Sequence, residues 1–326
     1  MKFAELLRKY LPVWVAIDIS LALLIGYLFP GVGILRNAIP FFLFLMLYPM
    51  MINLRVEDIG KAVRDPKLLS AAIFMNFLLT PPLGALWAHF LFRHADPYLA
   101  AGFILKVCVP CSGMVAAWTG YAKGRVESAL IIVALSLILA IFLVPFWMWI
   151  LAGVYVRVDP VMILEKMLLI VALPLLAGMA TRRYLIRRYG VKKYQSIVPF
   201  LPSASTCGML LMVFTIISTK AELIINNWHW VFFIILGIAT LYPILFALAI
   251  LFSKAMHIDY GNCMALGYGV TAKNHAITIG VATTAFGGTL AVLPAAVAPL
   301  IQMPIMLFYL TLSPKIRSFL QPAEHL

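Results

Sequence analysis

Apolar residues run along this chain in long unbroken stretches, set apart by short polar clusters. Stretches of spanning length fall near 11–29, 38–54, 68–92, 98–121, 127–153, 161–181, 195–217, 229–252, 261–285 and 288–312. A helix crosses a hydrocarbon core about 30 Å thick with roughly 20 apolar residues, so each stretch is long enough. The runs are continuous rather than alternating, which predicts helices and not a barrel of strands. They are apolar around the whole helix circumference, as lipid in place of water allows. Only Phe286–Gly288 separates the last two, which predicts a tight helical hairpin.

Composition narrows the class further. Of 326 residues, 64% are hydrophobic and 11% charged, against roughly 45–50% and about 25% in an average soluble domain. A globule of this size cannot hide so much apolar surface. A soluble enzyme, a disordered chain and a fibrous repeat are excluded, and the lipid bilayer is the chain's surroundings. The net charge is +13, from 25 Lys and Arg against 12 Asp and Glu. Nucleic acid is not the partner this implies, because basic residues hold cytoplasmic loops in place. With ten spans, one side of the membrane collects eighteen of the basic residues, the other side holds four (Arg36, Arg93, Arg157, Lys220), and Lys106, Lys166 and Lys273 fall inside spans. That bias predicts a multi-pass protein of a cell (inner) membrane with both termini cytoplasmic.

A basic cytoplasmic loop at 182–194 divides the chain into 1–181, holding a first five-helix repeat plus helix six, and 195–326, holding the remaining helices of a second. An odd number of helices per unit gives two copies of opposite topology, as in many secondary transporters. The pairs Pro12/Pro174, Pro40/Pro202, Pro82/Pro243 and Pro145/Pro304 are 159–162 residues apart, in line with such a repeat. The N-terminus, Met1 to Tyr10, is a short charged stretch that runs straight into the first span, with no cleavable leader expected. The four cysteines lie in apolar or Gly-rich segments and predict no disulfide framework. Cys108 and Cys111 have C-x-x-C spacing, but no second pair or His cluster accompanies them, so no metal site is expected.

Two stretches carry signs of a broken helix. In one, Lys106-Val107-Cys108-Val109-Pro110-Cys111-Ser112-Gly113, a proline removes a helical donor and Ser-Gly eases unwinding. In the other, glycines at 267 and 269 precede Thr271-Ala272-Lys273-Asn274-His275, a run of polar groups at mid-membrane depth. Open backbone there is tolerated only inside protein or facing water. A lone Pro or Gly in a span marks a kink or close packing more often than a site; breaks in corresponding spans of both halves favour a site.

The segment Cys108-Val109-Pro110-Cys111-Ser112-Gly113, followed by Tyr121-Ala122-Lys123-Gly124, resembles the fourth helix of the bile acid/sodium symporter superfamily. Cys111-Ser112-Gly113-Met114-Val115-Ala116-Ala117-Trp118 is most similar to its arsenite-efflux permease branch. Leu47-Tyr48-Pro49-Met50, Glu57-Asp58-Ile59-Gly60, Arg64-Asp65-Pro66-Lys67, Thr271-Ala272-Lys273-Asn274 and Pro299-Leu300-Ile301-Gln302-Met303-Pro304 resemble that branch too. The resemblance implies an all-α membrane protein of ten transmembrane helices in two inverted five-helix repeats. Panel helices near 11–54 and 161–217 would move against core helices near 68–153 and 229–312. Broken helices four and nine would cross in the core, with substrate beside the crossing.

The departures from the family pattern bear on coupling. Sodium-coupled members place Ser and Asn where Val115 and Ala116 stand, and an acid and Gln where Gly269 and Lys273 stand, so the usual sodium site is expected to be absent. The arsenite branch has a basic residue at Lys273 but acids where Ala276 and Gln302 stand, which counts against that branch's usual mechanism.

The residues expected at the site follow. Lys273 reads as a proton carrier or a fixed charge replacing sodium, against a snorkelling or paired lysine. Lys106, nearer the start of its stretch, reads the same way, and the two together favour an anionic substrate. Asn274 is expected to satisfy the open backbone of helix four. His275 reads first as a packed neutral ring, with titration the alternative. Cys111 is either a soft-metalloid contact or a small packed residue. Pro110 and Ser112 shape the break, and Gln302 is expected to hydrogen-bond near the crossing. Asp18 is a lone acid in the first span.

The function expected is a secondary transporter moving a small solute by alternating access, coupled to protons or uncoupled rather than sodium-driven. Arsenite-like metalloid or oxyanion efflux stands ahead of a small organic anion such as a carboxylate or sulfonate. A channel would need a continuous polar lining, and a membrane enzyme would need a nucleophile, acid pair or metal set; neither is legible. No catalytic residue and no cofactor are expected, and no nucleotide-binding loop of the G-x-x-x-x-G-K-[ST] kind is present.

Overall fold

The computed structural model describes residues 10–52, 65–198, 200–287 and 289–320. The motif residues Glu57–Gly60 and Arg64, the basic residues Lys2, Arg8, Lys9, Arg55 and Lys61, and Gly288 of the expected hairpin turn lie outside them. The chain is all-helical, 87% helix, with no strand among the described residues. We number its helices α1 (Leu11–Leu28), α2 (Ile39–Ile52), α3 (Pro66–Phe92), α4 (Pro97–Cys108), α5 (Val115–Tyr121), α6 (Val126–Ala152), α7 (Pro160–Ile197), α8 (Leu201–Thr219), α9 (Ala221–Asn226), α10 (Trp228–Ala255), α11 (Tyr260–Thr271), α12 (His275–Ala285) and α13 (Leu290–Leu320). Six of them, α3, α6, α7, α8, α10 and α13, are long and apolar enough to cross a membrane.

Local chemistry explains where several helices start. Asp65, Asp96 and Asp159 each precede a proline and accept hydrogen bonds from first-turn amides of α3, α4 and α7. Asp259 caps α11 likewise, with Tyr260 rather than a proline at the first position. A carboxylate cap satisfies donors that no helix can satisfy itself, and proline at the first position loses nothing. Prolines also leave a mark inside spans. α3 widens to a π-helical turn at Phe74–Leu79, just before Pro81-Pro82, and α7 does so at Leu168–Ala172, just before Pro174. A ring without an N–H cannot close the normal bond, and a wider turn absorbs the misfit.

The helices pack in two groups. In one, α8 lies against α1 and α2, and α7 lies against α2. Glycines let these backbones meet: a methyl on Gly26 would fall 2.1 Å from the Ser218 carbonyl oxygen, and one on Gly208 2.5 Å from the Met46 nitrogen. The Ser205 hydroxyl donates to the Met46 carbonyl, and the Tyr48 and Thr181 hydroxyls bond at 2.6 Å. The second group holds α3, α4, α5, α6, α10, α11, α12 and α13. Its helices α4, α11 and α12 are almost wholly buried, whereas Phe90, Phe142 and Leu176 stand exposed on outer faces, as side chains facing lipid do. The groups touch where α13 meets α1 and α8, where α6 meets α7, and where α12 meets α2 and α7.

Candidate functional site

The helical path is interrupted twice inside the second group. The first gap, between α4 and α5, runs from Val109 to Met114; the second, between α11 and α12, is Ala272 to Asn274. The gaps lie side by side and complete each other. The Ser112 amide donates to the Ala272 carbonyl at 2.7 Å, and the Asn274 amide donates to the Pro110 carbonyl at 3.0 Å. Cys111 and Lys273 thereby face each other as an isolated antiparallel bridge. Backbone left open by two broken helices is satisfied between them, which is what a water-poor interior demands.

The bridge also sets where the side chains go. Directly opposed residues of an antiparallel pair share one face, and their neighbours take the other. On the first face, the Cys111 thiol meets the Ser136 hydroxyl of α6 at 3.1 Å. That hydroxyl donates to the Val133 carbonyl, so the thiol is the donor to Ser136. Lys273 Nζ donates to Asn76 Oδ1 at 3.0 Å, and Asn76 lies in the π-helical turn of α3. Cys111 and Lys273 are wholly buried. On the second face, Ser112 is half-buried, and the chain turns out of the bridge at Gly113, half-buried as well. Met50 of α2 closes that face, with its sulfur 3.9 Å from Asn274 Nδ2 and its Cγ 3.9 Å from where a Gly113 methyl would be. The second face therefore looks across to the other helix group, and the first looks into its own.

Further residues complete the surroundings. Gln302 of α13 links the Lys106 amine to the Lys273 main chain: its Oε1 accepts from Lys106 Nζ at 3.5 Å and its Nε2 donates to the Lys273 carbonyl at 3.4 Å. Lys106 sits in the last turn of α4, at the break and not near the start of its helix as expected, with Nζ 5.8 Å from the Tyr242 ring centre. The carbonyl ends of α4 and α11 converge here, and their partial negative charge offsets part of the cost of two buried amines. Among the described residues neither amine has a carboxylate within ion-pair distance. Asn274 departs from expectation in one respect. Its side chain caps its own helix, accepting from the Ile277 amide at 3.1 Å, while its main chain serves the other break. The free amides of α12 are simply the nearest donors to a short side chain at that position. His275 is 7% exposed and neither of its ring nitrogens has a partner. Asp18 lies away from these residues, on α1, with one carboxylate oxygen buried and unpartnered.

Sequence reasoning missed Asn76, Ser136, Tyr242 and Met50. Asn76 had a signal: it is the one amide in its apolar stretch, five residues before a Pro-Pro pair. Gly269 gains a reason. A side chain there would meet Ile132 Cγ2 at 2.9 Å, so the space an acid would need is filled by an alkyl group.

Known transporters resemble this chain over most of its length. The Sodium Bile acid symporter family matches residues 40–227, more than half the chain. The arsenical-resistance protein Acr3 of Alkaliphilus metalliredigens (strain QYMF) is 28% identical, covering 95% of this chain and 93% of the relative. A probable sodium/metabolite cotransporter, chloroplastic BASS1 of Oryza sativa subsp. japonica, is 26% identical over 91% of this chain and 70% of its own length. The uncharacterized sodium-dependent transporter YocS of Bacillus subtilis (strain 168) is 24% identical over 87% and 84%. With that match spanning both the first break and its flanking helices, the chain belongs to the sodium bile acid symporter family, a multi-pass membrane transporter and not an enzyme.

Proposed function

We propose that the protein carries a small solute across a cell (inner) membrane by alternating access, without sodium, and that the solute sits between Met50 and the second face of the paired breaks. The observation that carries this is the Lys273 amine. It is wholly buried where the two gaps meet and hydrogen-bonded to Asn76. A buried ammonium is a cation that cannot leave. It occupies the place of a dissociable one, and Val115, Ala116 and Gly269 offer no side-chain oxygens with which to hold sodium. Coupling to protons, or none, follows.

The reading includes ten transmembrane helices in two inverted repeats, both termini cytoplasmic, with α1, α2, α7 and α8 as the panel and the remaining long helices as the core. The reciprocal form of the two breaks supports it. Each interrupted helix opens with an Asp cap, Asp96 or Asp259. Each packs its opening turn on the far end of the other: Tyr260 donates to the Ala122 carbonyl, and Tyr98 meets Phe286 edge-on.

For the solute, arsenite-like metalloid or oxyanion efflux stands first, supported by the similarity to arsenical-resistance proteins. A small organic anion is the second reading, favoured by two buried amines without a carboxylate partner among the described residues. Everted membrane vesicles test both. Arsenite accumulation that needs a proton gradient or none, and is the same in sodium and potassium media, is the expected result. Accumulation driven by a sodium gradient would overturn the reading.

A further inference from the structure

Lys106 and His275 stand apart from the contacts that fix Lys273 and Cys111. Lys106 Nζ has three donors to place, and the described contacts give it one long hydrogen bond, to Gln302 at 3.5 Å, and the Tyr242 ring. His275 opens α12, is more than nine-tenths buried, and leaves both ring nitrogens without a partner. The Tyr242 hydroxyl is buried and unpartnered as well. α4 and α12 pack on one another, and Gln302 ties Lys106 to the main chain of Lys273, two residues before His275. Buried polar groups are nearly always satisfied, and each exception calls for an explanation. What is missing beside this ammonium, imidazole and phenol is an acceptor.

We propose that Lys106 and His275 form a joint site for an anion and a proton: a carboxylate or sulfonate solute held by Lys106 at the amino end of α12 is accompanied by one proton taken up on His275. This rests on the transporter reading above, takes the second of its two solute classes, and names a coupling residue for it. With the site empty, Lys106, Lys273 and the amino end of α12 leave no favourable place for a third positive charge. A bound anion supplies one. The proton passes from the aqueous phase to a free ring nitrogen, and solute and proton leave together on the other side, so the cycle moves no net charge.

Other groups around His275 do not compete for that role. α13 contributes Gln302, which does not titrate, and α2 contributes Tyr48, which is tied to Thr181. α7 carries Glu165, exposed, and Lys166, half-buried; neither is a hydrogen-bond partner of His275, whose ring nitrogens have none. Lys273 is held by Asn76 on the first face.

Methanesulfonate, which stays ionised throughout, is the probe. Its affinity for the purified full-length protein is measured by calorimetry from about pH 5 to 8, the range in which an imidazole changes charge, in buffers of different ionisation enthalpy. Uptake of one proton per anion is expected, with affinity falling about tenfold per pH unit on the alkaline side. His275→Gln keeps binding but loses both the proton uptake and the slope, and Lys106→Met loses the anion. Affinity of the wild-type protein that does not change with pH overturns the proposal without any variant, as does an equal slope in His275→Gln. Absence of binding also overturns it. Arsenite transport persisting in vesicles would then leave the transporter reading standing.

Discussion

The two helix breaks do the same job by different means. The first is six residues long, Val109 to Met114, and its sequence explains it: Pro110 cannot continue the α4 hydrogen-bond ladder, and Ser112-Gly113 opens the turn. The second is three residues, Ala272 to Asn274, and holds neither proline nor glycine. It is kept open by Asn274, which caps α12, and by hydrogen bonds from the first break. The first gap is half-open on the face toward Met50, whereas the second is buried throughout. One break thus combines a proline and a glycine with contacts, whereas the other rests on contacts alone. Substitutions should therefore disturb the second more than the first.

The largest effect is expected at Lys273. Lys273→Ala leaves the Asn76 oxygen buried without a donor, a loss of about 1–3 kcal/mol, and removes the fixed cation. Vesicle uptake should fall to background, while a thermal melt still shows a folded protein. Uptake near the wild-type level would remove Lys273 from the mechanism. Next is Asn274→Ala, which strips the cap from α12 and should lower stability by about 1–2 kcal/mol. Asn274→Ser, which keeps an acceptor, should recover most of that in the same denaturation measurement, and equal losses in both variants would contradict the capping role. Pro110→Ala should change stability by less than about 1 kcal/mol. The freed N–H could extend α4 only by giving up the Ser112 to Ala272 bond, so the break should persist. Protection of the residue 110 amide in hydrogen exchange, at the level of mid-helix α4, would show that the proline alone holds this gap open. The smallest effect belongs to Cys111→Ser, since a hydroxyl can donate to Ser136 in place of the thiol. Arsenite efflux within about twofold of wild type is expected, a difference under 0.5 kcal/mol; loss of efflux would place the sulfur on the solute's path.

Much of this was legible before any coordinates. Continuous apolar runs marked the helices, Pro110 marked one break, and the cluster Lys273-Asn274-His275 marked the other. The orientation of the side chains was not. In an extended segment faces alternate with every residue, so the face of Cys111 depends on which residue opposes it, and only the pairing with Lys273 decides that. Asn76 and Ser136 were hidden for another reason. A single amide or hydroxyl in an apolar span commonly bonds its own preceding turn, as Asn76 Nδ2 does to Ala72 and Ser136 to Val133. Their second contacts, to Lys273 and Cys111, come from segments 197 and 25 residues away. No local pattern records them.

The account rests on one face of the paired breaks being open to solute and the other closed. Alkylation by a small membrane-permeant maleimide reads this directly, with single cysteines placed in a background whose native cysteines have been replaced. Ser112→Cys should label readily and be protected by arsenite or by methanesulfonate, while Cys111 restored alone should stay unlabelled in the folded protein. Labelling of Cys111 at the rate of residue 112, or a rate at residue 112 that neither solute slows, would contradict it.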